Sequence, residues 1–254
     1  MEKQNGIGGK KGLDREQLKI IAVIAMTVDH LAWVIWPGYP KDICIVVPHC
    51  IGRITAPIMW YFIAEGYFHT RSVKKYALRL LAFAVISHFA YAFAFGIPFV
   101  PFKTSIFNQT GIMWSLFWGL IGLHISNESR LKDWQKVFAM LVICGVSFCA
   151  DWSCIAAMAI VYIGAYRGDF KKQMISMMAF VCMYAAVYAL CIDGMYGMIQ
   201  LFAAASIPLL GKYNGQRGKT AAKWGFYLYY PLHLALCGAL RLLLHGNIGA
   251  MIGG

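Results

Sequence analysis

Charge is what this chain has least of. Asp, Glu, Lys and Arg together make up 13% of its 254 residues, against 60% apolar ones. That is about half the charged share of a soluble globular domain, too little polar surface to clothe one in water. Also missing is any polar stretch beyond about 20 residues, the room a separate soluble domain would need. Residues 1–254 therefore read as one unit. The cysteines lack metal-ligand spacing: Cys44, Cys149, Cys154, Cys182, Cys191 and Cys237 lie in or beside apolar runs, where packing as a small hydrophobe is the ordinary role. No metal site is expected. Cys44 and Cys50 share one link, which leaves a disulfide between them open. No internal repeat, no Gly-rich phosphate loop after a strand and no low-complexity tract is visible. Without repeats, the inverted-repeat architecture of many transporters has no support.

What the chain does have is alternation. Apolar stretches of about 15–22 residues are separated by short polar links, as required when each helix must hide its backbone in hydrocarbon. Nine spans can be placed, near 18–36, 51–68, 76–97, 111–126, 134–150, 152–166, 173–191, 195–211 and 225–245, with a range of eight to ten. The fold class is an all-α polytopic transmembrane bundle. The first run follows a basic segment, yet no small-residue cleavage site precedes Trp36-Pro37-Gly38, so it is expected to stay as an anchor. Every second link is basic. With residues 1–17 on the cytoplasmic side, the inward segments hold 17 Lys and Arg, among them Arg71, Lys74, Arg130, Lys132, Arg167, Lys171 and Lys212. The outward ones hold 2, Lys41 and Lys103, and the tail 246–254 is outward with none. This is a strong positive-inside bias. The net charge of +12 is thereby matched to anionic headgroups rather than to nucleic acid. Trp33, Trp36, Trp114, Trp118, Trp134 and Trp224, with Tyr227, Tyr229 and Tyr230, fall near span ends, as an aromatic belt would.

Against this background the ionisable residues stand out. Asp29, His30, Glu65 and His88 lie within spans, and Lys19, Arg53, Arg79, His233 and Arg241 nearer their ends. Such residues normally face the bundle interior and mark function. Asp29 and His30 sit about 16 Å along a helix starting near Lys19, past the bilayer middle. A neutral imidazole there suits proton abstraction near neutral pH; the plainer role is a structural hydrogen bond to a neighbouring helix. Asp29 is offset from His30 on the helix wheel, so a carboxylate from another span is expected to orient the ring. Arg53 has a depth close to that of Asp29, making an ion pair between them plausible. Glu65 and His69 share a face at i, i+4. Arg79 with Lys74 and Lys75 forms a basic mouth, either a solvated face or an anchor for phosphates. Lys212 to Lys219 form a Gly-rich basic loop that is either a phosphate cradle or a connector. It leads to Pro231, where a kink would turn Tyr229 and His233 inward.

Four stretches together resemble the TraX family, membrane proteins linked to N-terminal acetylation of F-type conjugative pilin. They are LKIIAVIAMTVDH at 18–30, IGRITAPIMWYFIAEGYFHT at 51–70, KKYALRLLAFAVISHFAYAFAFG at 74–96 and KYNGQRGKTAAKWGFYLYYPLHL at 212–234. A more distant likeness is to the integral membrane acyltransferases that O-acetylate surface polysaccharides, whose first span carries an Arg and, eleven positions on, a His. Here Lys19 and His30 have that spacing, with Lys where that family has Arg. The resemblance implies an acetyltransferase of the bacterial cytoplasmic membrane, using acetyl-CoA from the cytoplasm and acting on a pilin-like amine. It makes His30 the expected catalytic residue, and the ionisable residues in and near the spans add Asp29, Arg53, His88 and His233 to the expected catalytic set. Lys19, Lys75, Arg79, Lys212, Arg217 and Lys219 are the expected contacts to acetyl-CoA. Two other functions are compatible with the residues: a proton-coupled transporter with Asp29, His30, Glu65 and His88 as a relay, and a non-enzymatic assembly factor for a pilin or another membrane protein.

Overall fold

A computed structural model describes residues 12–103, 105–218 and 223–247. All regular elements in them are helices, and the only β-type pairings are two isolated bridges, Leu13 with Tyr213 and Thr110 with Ala150. In chain order the helices are α1 Arg15–Ile35, α2 Ile43–Gly52, α3 Thr55–His69, α4 Val73–Phe95, α5 Ile112–Ser126 and α6 Asp133–Ser147. They are followed by α7 Ser153–Ala165, α8 Phe170–Cys191, α9 Gly194–Ile199, α10 Ser206–Gly211 and α11 Lys223–His245, with a 3-10 stretch Gln200–Ala205 between α9 and α10.

Six segments of the described chain are long and apolar enough to cross a membrane: α1, α2 with α3, α4, α8, α9 through α10, and α11. Helices α5 and α7 are apolar but shorter. The outer surface carries large exposed apolar side chains, among them Phe138 and Leu141 on α6 and Leu232 and Leu236 on α11. Exposed hydrocarbon on this scale suits lipid rather than water. The protein is a multi-pass membrane protein.

The second span differs most from the sequence expectation. It begins at Ile43 rather than near 51, because Ile43–Gly52 is already helical, and it is broken at Arg53 and Ile54. The break has a local cause. Pro57 has no N–H for the Arg53 carbonyl, so the ladder cannot run straight through. Helix α2 also separates Cys44 from Cys50 by six residues, about 9 Å of rise and beyond disulfide reach. All eight cysteines are free thiols.

Helix α1 starts on a reciprocal capping box, in which the Asp14 carboxylate accepts from Gln17 N at 2.8 Å and Gln17 Oε1 accepts from Asp14 N at 2.9 Å. Just before it, Leu13 N donates to Lys212 O and Asn214 N to Leu13 O, while Arg15 N donates to Gln216 O. These bonds tie the start of α1 to the link between α10 and α11. Helix α4 lies along α11, and α5 along α7. Helix α7 is lined by small residues, Ser153, Ala156, Ala157, Ala159 and Gly164, all buried, which let its neighbours approach closely. At Gly164 an added Cβ would stand 2.5 Å from Leu123 Cδ1 on α5. Gly164→Leu is therefore expected to destabilise the bundle by about 1–3 kcal/mol or more. A lowered midpoint of thermal unfolding in detergent would register it, and an unchanged midpoint would refute the close packing of α5 and α7.

Candidate functional site

The membrane-embedded polar residues converge on a cavity of about 970 Å³. One end, beside the first turn of α1, is lined by Arg15, Lys19, Arg79 and Arg217, with Trp224 and Phe226. The other end holds Asp29, His30, Arg53 and Asp151. Lys19 and His30 line the same cavity from one helix, eleven residues apart, about 16 Å by helical rise.

At the deep end two hydrogen-bonded groups sit side by side. The first is built on Asp29. Its Oδ1 accepts from Arg53 Nη2 at 2.6 Å and from His49 Nδ1 at 2.8 Å. Arg53 is held at two more points: Nε donates to the His49 carbonyl at 3.1 Å and Nη1 to Gln200 Oε1 at 3.0 Å. Gln200 in turn donates to the Tyr196 carbonyl at 3.0 Å. Helices α1 and α2 approach so closely here that a Cβ on Gly52 would overlap the Asp29 side chain. Glycine is what lets Arg53 and His49 reach one carboxylate oxygen. Trp33 packs on the His49 ring, with centroids 4.5 Å apart.

The second group is a pair of histidines 203 positions apart. His30 Nδ1 lies 2.8 Å from His233 Nε2, and His233 Nδ1 lies 3.0 Å from the Tyr229 carbonyl oxygen. A carbonyl only accepts, so His233 carries its proton on Nδ1. Its Nε2 is then an acceptor, and His30 must donate through Nδ1. In the neutral ring this chain of donors leaves His30 Nε2 as a lone pair. His30 lines the cavity, and its Nε2 makes no hydrogen bond among the described residues. The rings are held in place by stacking: His30 on His233 at 5.1 Å and 7°, and Tyr229 on His233 at 5.2 Å and 11°. Phe95 meets His30 edge-on at 5.7 Å. Thr27 Oγ1 donates to the Val23 carbonyl and so accepts from Tyr229 OH at 2.7 Å. What orients the His30 imidazole is thus a second histidine, where the sequence led to the expectation of a carboxylate. The partner comes from α11, which carries Pro231 two residues before His233.

Other expected site residues are placed elsewhere. His88 does not join the cluster; its Nε2 sits 2.7 Å from the Phe99 carbonyl, because its face of α4 turns toward the loop that follows. Glu65 and His69 are paired at 3.3 Å, and Glu65 also binds Arg167 at 3.2 Å; Glu65 and Arg167 line a separate shallow pocket, while His69 borders the main cavity. Of the expected acetyl-CoA contacts, Lys19, Arg79 and Arg217 line the cavity. Lys75 is exposed outside it, since it lies on the outer face of the first turn of α4. Lys212 is also exposed outside it and is anchored by its carbonyl to Leu13. Lys219 lies outside the described residues. Trp33, Tyr229 and Tyr230 are drawn into the site rather than standing in an aromatic belt, whereas Trp36, Trp134 and Trp224 are exposed as a belt requires. Among the described residues, no group of three or more His, Cys, Asp or Glu could hold a metal ion.

Sequence reasoning missed His49, Gln200 and Asp151. His49 was assigned to a link; the apolar run on both sides of Pro48-His49 was the available signal. Asp151 lies in the turn between α6 and α7. It is fixed by its N–H donating to the Thr110 carbonyl at 2.8 Å and by Ser115 Oγ donating to its carbonyl at 3.3 Å. Trp152 and Ser153 follow at φ +60° and +51°, both in the left-handed region. Two successive non-glycine residues there cost about 1–3 kcal/mol each, and such strain gathers at functional sites.

A family model described as TraX protein matches residues 14–241. The chain is 29% identical over 237 residues to the "Probable fimbrial assembly protein FimC, serogroup H1" of Dichelobacter nodosus, covering 90% of this chain and 96% of that protein. No solved structure matches it. With the family match running from the capping box of α1 through almost all of α11, this multi-pass membrane protein belongs to the TraX family.

Proposed function

We propose that the protein is an acetyltransferase of the bacterial cytoplasmic membrane, with its N terminus in the cytoplasm. It moves an acetyl group from cytoplasmic acetyl-CoA to an acceptor arriving from the far side, the terminal amine of a pilin-like protein. The single observation that carries this reading is the cavity joining Arg15, Lys19, Arg79 and Arg217 to the open Nε2 of His30.

The basic end suits the phosphates of acetyl-CoA. Arg15 Nε and Arg79 Nε are buried there with no hydrogen-bond partner among the described residues. Unpaired guanidinium N–H groups call for an anion. At about 970 Å³ the cavity is at the upper end of the range for small-molecule sites, as an elongated donor would need. At the deep end His30 Nε2 takes the proton of the attacking amine as the N–C bond forms. The thioester C–S bond breaks and the sulfur leaves with coenzyme A. His233 positions His30 and does not touch the reacting atoms. Arg53, clamped by Asp29, His49 and Gln200, supplies a fixed positive charge where the carbonyl oxygen gains negative charge. An α-amino group has a reference pKa of about 8, so general-base help is modest, and holding amine and thioester in line supplies much of the rate.

The relative's name, a fimbrial assembly protein, supports a pilus-related acceptor and also favours a second reading, that of a non-enzymatic assembly factor. Proton-coupled transport has less geometric support, since Glu65 and His88 stand apart from Asp29 and His30. The test is titration of acetyl-CoA into purified protein in nanodiscs, with mass spectrometry for acetyl transfer to membrane peptides. Arg79→Ala should weaken acetyl-CoA binding about tenfold, the worth of one charge-assisted contact. Absence of acetyl-CoA binding to the parent protein would overturn the enzyme reading and leave the assembly factor.

A further inference from the structure

The deep end of the cavity carries an unbalanced charge. Asp29 and Arg53 neutralise one another as an ion pair at 2.6 Å. The hydrogen bonds of His30 and His233 are satisfied with both rings neutral. Asp151 remains. It lines the same cavity, and no cation lies within ion-pair distance of it among the described residues. Its carboxylate accepts from the neighbouring Trp152 backbone N–H. Arg53 acts on Asp151 through space but is ion-paired with Asp29, so one guanidinium faces two carboxylates. A carboxylate held away from bulk water without a counter-charge of its own is costly, and the site offers it room for one. Around it are aromatic rings. Tyr91, Tyr184 and Tyr230 line the cavity with hydroxyls inside the electrostatic reach of Asp151, and Trp152 stacks on Tyr184 at 4.4 Å. Ring faces and a fixed carboxylate together recognise an organic cation. The turn that presents Asp151 is the strained one, with two successive left-handed residues, so the backbone is held against its own preference to put the carboxylate there.

We propose that Asp151, with Tyr91, Tyr184, Tyr230 and Trp152, forms the acceptor subsite and binds the acceptor as a primary ammonium. One ammonium proton passes to the Asp151 carboxylate to give the attacking amine, and His30 Nε2 takes the second as the N–C bond forms and the thiolate of coenzyme A leaves. The subsite selects amine acceptors over hydroxyl acceptors. A sugar hydroxyl has no charge to offer, and it would leave Asp151 unpaired. The role of the subsite in catalysis rests on the acetyl-transfer reading, but binding of the cation does not.

The experiment uses the full chain in nanodiscs and two probes: the peptide Leu-Gly-Gly-amide with a free amino group, and the same peptide N-acetylated. Binding of each is measured by calorimetry without acetyl-CoA, for the parent protein, Asp151→Asn and Asp151→Glu. The parent should bind the free-amine peptide about tenfold or more tightly than the acetylated one, as expected for a charge-assisted contact. Asp151→Asn should abolish that difference, and Asp151→Glu should keep part of it. Equal binding of the two peptides by the parent, no measurable binding of the free amine, or unaltered discrimination in Asp151→Asn would each overturn the proposal. Acetyl-CoA binding by the same samples reports that the variants are folded and separates the two ideas. Retained acetyl-CoA binding without amine discrimination removes the subsite alone, whereas amine discrimination without acetyl-CoA binding removes the acyl-donor reading and keeps the subsite.

Discussion

His30→Ala, reconstituted in vesicles with acetyl-CoA and acceptor, is expected to transfer acetyl groups about 10²–10⁴-fold more slowly than the parent protein, the usual contribution of a positioned general base. Binding of acetyl-CoA should be unaltered, because the basic end of the cavity is about 16 Å away along α1. The pair His30–His233 yields a graded second arm. His233→Ala removes the acceptor for His30 Nδ1–H, after which the imidazole can swap tautomers and lose the open Nε2. A loss of about 10–100-fold is expected, as for other groups that orient a functional histidine. His233→Gln retains a side-chain acceptor and should recover part of the rate. A merely structural His233 would not separate Gln from Ala in rate while leaving both folded. His88→Ala, which removes a ring hydrogen-bonded to the Phe99 carbonyl and outside the His30 cluster, should leave transfer unchanged. Full activity in His30→Ala would dismiss the base assignment.

The largest effect on stability is expected at Asp29. Asp29→Ala leaves the Arg53 guanidinium buried without its carboxylate and deprives His49 Nδ1 of an acceptor. Removing one partner of a buried ion pair costs about 3–5 kcal/mol. The side chains of Asp29 and Arg53 are 8% and 12% exposed, so solvent screening offers little relief. Thermal unfolding in detergent should register a large drop in midpoint. The double variant Asp29→Asn with Arg53→Met should recover much of it, since neither side chain then carries a charge. If Asp29→Ala is as stable as the parent, the ion pair is not the anchor between α1 and α2. Recovery of stability in the double variant without recovery of acetyl transfer is also expected, because Arg53 has a separate part at the carbonyl oxygen.

The amino-acid sequence alone determined the membrane bundle and the roster of polar residues worth following: Asp29, His30, Arg53 and His233. These are local properties. An apolar run long enough for hydrocarbon declares itself wherever it lies, and a charge within that run is costly enough to be meaningful by itself. The Arg53–Asp29 pair was within reach for the same reason, since depth along a helix follows from residue count. Partner identity was not. Whether His30 meets a carboxylate or another histidine depends on how α11 is rotated against α1, and that rotation is set by packing across the whole bundle. His88 has the same composition signal as His30, yet its face of α4 points elsewhere. His49 was hidden because a proline and a histidine make an apolar helix look like a link, and Asp151 because a turn residue has no periodicity to betray it. Only the tertiary structure decided that a strained turn between α6 and α7 would bring a carboxylate to the deep end of the cavity. Contacts between residues far apart in the chain arise from the fit of helix faces, and no local pattern encodes that fit.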